Sequence, residues 1–252
     1  MTSRALTSAL EEVADALDAS SNDLAQRASF HRHLVLAGIA NASAPHVRGL
    51  LALSRSPNNV PPSWILLRTL VEGWIKAQYV MRDSTDSRAR SYMLDSLEEQ
   101  RRFFARLVLL SNRSPAEEMR VLHILGLATR QELDQQLAEL SSQIDDVRVR
   151  HALKKRVPLN EQARTVGPGA ELIYAQIYGF LFSDSAHLGA RQAVVGIVQP
   201  RPAHTSGDVE KVLTTALSLS QELLEMVRVA LSDYQAESRP NNPTRPPPPR
   251  AT

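Results

Sequence analysis

Two short polar sets interrupt otherwise apolar helical stretches, and they hold the residue types best suited to chemistry in this sequence. Arg68 and Glu72 stand four apart within SWILLRTLVEGWIKAQYVMR, residues 63–82. Ser183 and His187 repeat that spacing within AELIYAQIYGFLFSDSAHLGA, residues 170–190. Side chains four apart share one face of a helix, so each pair can meet. A guanidinium can hold an anion, and a histidine beside a carboxylate can move a proton near neutral pH. The competing reading is a core ion pair that fixes helix register. Arg ahead of Glu is the weaker order for local helix support, so the pair points to tertiary partners.

Both stretches must be positioned by helices. In residues 63–82, Trp64, Arg68, Glu72, Ile75 and Tyr79 line one stripe, and Leu66, Leu70, Gly73 and Ala77 the opposite one. A helix apolar on both sides belongs at the centre of a larger core. In residues 170–187, Gln176, Phe180, Ser183 and His187 share a face; Tyr174, Tyr178, Leu181 and Ser185 share the other. Packing of the two helices on each other would bring Glu72 to His187, with Arg68 and Ser183 alongside.

The rest of the chain supplies the surrounding helices. Residues 4–18 are amphipathic, with Leu6, Leu10, Val13 and Leu17 on one side, and residues 20–23 read as a turn. A helix follows from residue 24 to about residue 53, bent or interrupted at Pro45. Ser114-Pro-Ala-Glu117 and Thr129-Arg-Gln-Glu132 are capping boxes that open new helices. A last helix spans roughly residues 207–237. No strand alternation and no repeat intervenes. The expectation is one all-α domain over residues 1–237, a bundle of about seven to nine helices with two central apolar ones. Residues 238–252, rich in Pro and Arg, form a disordered or polyproline II tail.

Composition narrows the functional classes. A hydrophobic share of 43% with 22% charged residues is that of a soluble globular protein. There is no cysteine, which excludes disulfides and thiolate metal sites. The N-terminus lacks a secretory apolar region and no window reaches the ~18 apolar residues of a membrane span, so a cytoplasmic location and no membrane partner are expected. Net charge is +2, of which the tail arginines Arg239, Arg245 and Arg250 contribute +3, leaving residues 1–237 at −1. That balance favours a protein partner over nucleic acid. His31 and His33 are two apart and do not chelate; no HExxH, phosphate loop, dinucleotide loop or nucleophile elbow occurs. No metal or other cofactor is implied.

Arg68-Thr-Leu-Val-Glu72, a later Pro-Leu-Asn-Glu-Gln-Ala segment and Tyr178-Gly-Phe-Leu-Phe-Ser183-Asp-Ser-Ala-His187 stand in a recognisable order. Over roughly residues 60–190 the chain resembles a family of all-helical, mainly bacterial proteins known only as a domain of unknown function. The resemblance implies that Arg68, Glu72, Tyr178, Ser183 and His187 are its marked positions, and it implies no activity. Three functions stay open: an interaction or scaffold module whose polar cluster fixes packing, a nuclease-like enzyme acting on RNA, and a small-anion sensor. All-helical HEPN-type ribonucleases place their arginine and histidine on one helix; here Arg68 and His187 sit on two.

Overall fold

A computed structural model describes residues 3–55, 60–151, 157–181 and 206–237. Every regular element among them is helical: α1 (Ser3–Arg27), α2 (His31–Leu53), α3 (Val60–Met81), α4 (Ser87–Ser111), α5 (Pro115–Leu125), α6 (Arg130–His151), α7 (Leu159–Val166), α8 (Pro168–Ala175) and α9 (Ser206–Glu237). A π-helical segment, Gln176–Leu181, continues directly from α8. The fold is all-α. Tail residues 238–252 lie outside the described residues.

The helices gather into two compact units. The first holds α1, α2, α3, α7, α8, the π segment and α9; the second holds α4, α5 and α6. In the first unit α1 and α3 each pack on both α2 and α9, and α2 also meets α9. Four long helices therefore surround one core, in which Leu10, Leu17, Leu36, Leu70, Ile75 and Leu223 are fully buried. Gly73 permits the close approach of α2 and α3, since a Cβ there would stand 3.3 Å from Ile39 Cγ2. Beyond this bundle, α7 and α8 pack on α3. Arg82, just past α3, donates from Nη1 to the carbonyls of Thr165 and Val166 in the last turn of α7. A cation at that end satisfies orphan carbonyls and complements the helix dipole.

The second unit is smaller, with Leu107, Val121 and Leu133 buried together and Phe104, Leu110 and Leu122 packed against them. Of the two capping boxes, Thr129–Glu132 forms in full, while Ser114 makes only the N-cap bond and Glu117 pairs with Arg120. Ser114 Oγ accepts from Glu117 N at 3.2 Å. Thr129 Oγ1 accepts from Glu132 N at 3.3 Å, while Glu132 Oε2 accepts from Ala128 N at 2.8 Å. Gly126 closes α5 at φ 66°, and Leu127 N reaches back to Leu122 O. That left-handed position favours glycine.

Several local features differ from the sequence reading. α1 does not stop at residues 20–23: Leu17, Ser21 and Leu24 are buried on one stripe, and Ser21 Oγ donates to Asp18 O within the helix. Burial of the stripe outweighs the turn-forming tendency of Ser and Asn, and the break falls at residues 28–30 instead. Pro45 lies inside an uninterrupted α2. Its ring and Asn41, whose carbonyl loses its donor, both face solvent, so water can replace the missing bond.

The two stretches read as apolar all round are covered less completely than expected. α3 buries Leu67, Leu70, Val71, Trp74, Ile75 and Val80, but Ile65 is 52% exposed and Thr69 faces solvent beside it. In α8 Leu172 is 59% exposed. Each helix keeps a polar or open edge.

Candidate functional site

α3 sets Arg68 and Glu72 one turn apart on its half-buried side, where their side chains are 31% and 25% exposed. Arg68 Nε donates to Glu72 Oε1 at 2.8 Å and to Tyr178 OH at 3.1 Å. Tyr178, on the π segment, donates its own hydroxyl proton to the same Glu72 Oε1. The Arg68 guanidinium also lies over the Tyr178 ring, 4.5 Å from its centroid. Tyr174 stacks on the same ring, 4.4 Å between centroids with planes 21° apart. Cation, phenol and second phenol form one group, with the carboxylate closing its edge. Cation–π and stacking contacts of this kind each add stability beyond area burial.

The electrostatics follow from this geometry. Burial disfavours the Arg68 charge, but the bonds to Glu72 and Tyr178 outweigh it and the guanidinium holds its proton more tightly than usual. Burial, reinforced by the bond to Glu72, pushes the Tyr178 phenol well above its ordinary range. Tyr178 is therefore a neutral hydrogen-bond donor at physiological pH, unsuited to act as a nucleophile or base. A proton held more tightly when folded stabilises the fold fully below the unfolded tyrosine value of about 10, and less as pH rises through and above it. We expect the urea midpoint of the wild type to fall more steeply above about pH 10 than that of Tyr178→Phe. Parallel pH profiles for the two proteins would contradict the assignment.

Arg68, Glu72 and Tyr178 are thus brought together. Ser183 and His187 lie outside the described residues. The surface that meets Glu72 bears Tyr174 and Tyr178, the face assigned by sequence as opposite to His187. A regular 3.6-residue period does not hold across Gln176–Leu181, because π-helical turns carry an extra residue.

Other polar contacts had no readable pairing in the sequence. Trp74 Nε1 donates to Glu222 Oε2 at 2.8 Å, clasping α3 to α9. A buried tryptophan calls for an acceptor, though nothing in the chain marks Glu222. His33, 2% exposed, meets Tyr234 OH at 2.7 Å through Nδ1, and Ser29 N donates to the same hydroxyl at 2.9 Å. This histidine is a packing element at the start of α2. A groove of about 370 Å³ between α1 and α9, lined by Glu12, Val13, Leu224, Glu225 and Arg228, shares no residue with the Arg68 cluster. Among the described residues no three His, Asp or Glu side chains gather as a metal site requires. No helix of the described residues is long and apolar enough to cross a membrane.

These features define an all-helical protein with an Arg–Glu–Tyr clasp between one bundle helix and a π-helical segment. Residues 35–194 match the model of a family of unknown function, DUF5677, and the chain belongs to that family. No curated protein and no solved structure matches the chain. The matched region begins inside α2, so α1 and α9, which complete the first unit's core, lie outside it.

Proposed function

We propose that the protein is an interaction module whose Arg68–Glu72–Tyr178 cluster holds its packing in register. One observation carries this reading: Nε of Arg68 and the hydroxyl of Tyr178 are both directed at Glu72 Oε1. A substrate at these three atoms would have to displace contacts already made. The same reading takes Arg68, Glu72, Tyr178, Ser183 and His187 as the family's marked positions, and a bacterial cytoplasm as its setting. Its partner is a protein in preference to nucleic acid, because the chain without its tail arginines is nearly neutral. The tail is taken as a solvated terminus. Neither RNA cleavage nor anion sensing has a supporting contact among the described residues.

The test is the paired change Arg68→Met with Glu72→Leu. It replaces an ion pair by apolar groups of similar size, which is often tolerated when the pair is structural. We expect the double variant to unfold cooperatively within about 1 kcal/mol of the wild type. We also expect the wild type to leave single-stranded RNA intact and to show no change in melting with added phosphate. RNA cleavage, or a phosphate-dependent rise in melting temperature, that the double variant loses would overturn the reading.

A further inference from the structure

The second unit carries a feature that its own folding does not explain. No acidic residue occurs between Glu99 and Glu117, whereas Arg101, Arg102, Arg106 and Arg113 fall in that interval. Arg102, Arg106 and Leu109 follow one another at steps of four and three along one edge of α4, and Arg113 comes one residue past its C-cap. Arg102 has a long contact to Glu98 at 3.4 Å. Arg106 and Arg113 form no ion pair among the described residues. Arginines near a helix C-terminus complement its dipole, but that accounts only for the charge. Leu109, in the middle of the row, is 67% exposed, and Phe103, flanking Arg102 and Arg106, is 52% exposed.

From this combination, and resting on the reading of the chain as an interaction module, we infer that the C-terminal half of α4 docks an acidic protein helix carrying an apolar residue of its own. Arginine and large apolar side chains in one patch are the types that dominate interface energetics. The Phe103 ring is held edge to face against Phe104, 5.9 Å between centroids at 83°, and Phe104 packs into the Leu107 cluster. The exposed ring is thus pre-ordered, which lowers the entropy lost on binding. Guanidinium groups pair bidentately with carboxylates. Their spacing along α4, about 6 Å between Arg102 and Arg106 at 1.5 Å per residue, suits the one-turn repeat of a facing helix. Leu109 offers nothing to a phosphate, the group that supplies most of the affinity in a nucleic-acid contact.

The experiment uses the full chain and three fluorescent probes. The first is a helical peptide of Glu, Ala and Leu with its leucines along one face, the second its Leu→Ala counterpart, and the third a single-stranded RNA of equal charge. We expect the leucine-bearing peptide to bind most tightly. Binding should weaken about tenfold in Arg106→Glu and about tenfold in Leu109→Asp, a loss equivalent to about 1.4 kcal/mol each. Both positions are exposed, and unchanged thermal melting will confirm that the variants fold. Failure to bind the leucine-bearing peptide, equal binding of the two peptides, preferential binding of the RNA, or variants that bind like the wild type would each overturn the inference. RNA cleavage and the phosphate response report separately on the broader reading, so the two can fail independently.

Discussion

Leu223→Ala is expected to lower the stability of the first unit by about 3 kcal/mol, whereas Val229→Ala on the same helix should change it by less than about 0.5 kcal/mol. Leu223 is fully buried where α9 meets the other long helices, and Val229 is 50% exposed. Truncating the first removes transfer free energy and leaves a cavity that packed neighbours fill only in part. Truncating the second removes methyl groups that already contact water. Both tryptophans, Trp64 and Trp74, lie on α3, so urea unfolding followed by tryptophan fluorescence reports on this unit. Equal losses at the two positions would mean that α9 is not part of the bundle core. The choice of α9 is deliberate, because α9 lies outside the family match yet packs on α1, α2 and α3.

How much of this was legible depends on the range over which each signal acts. Helix identity is read from periodicity and caps, which are local: Thr129 with Glu132 forms both bonds its spacing announces, and Ser114 forms the N-cap bond to Glu117 N. Ser20, Ser21 and Asn22 resemble a turn by residue type, yet Ser21 is buried with Leu17 and Leu24 and α1 runs through them. Burial is a tertiary quantity. The Arg68–Glu72 spacing was likewise readable, but its third member depended on which side of the later helix faces α3. A regular helical wheel cannot give that answer across six π-helical residues. The clasp of Trp74 by Glu222 spans 148 positions and leaves no local trace.

Glu72→Ala should cost about 2 kcal/mol, the largest loss among single changes in the polar cluster. Its carboxylate oxygen is the shared acceptor for Arg68 Nε and the Tyr178 hydroxyl, so one deletion leaves two half-buried donors without it. Hydrogen bonds to a charged group contribute about 1.5–3 kcal/mol, more than neutral ones. Partial exposure of both side chains keeps the loss below the ~3–5 kcal/mol seen when a fully buried pair is broken. Tyr178→Phe should cost less, about 1 kcal/mol, because the ring keeps its stack on Tyr174 and its contact with Arg68. If hydroxyl and carboxylate act on each other, the double variant Glu72→Ala with Tyr178→Phe will be more stable than the sum of the two losses predicts, by about 1 kcal/mol. Strict additivity would show that Tyr178 docks through its ring alone. A loss below about 0.5 kcal/mol for Glu72→Ala would place this pair among surface ion pairs of no consequence, and the clasp would then rest on the Arg68–Tyr178–Tyr174 contacts.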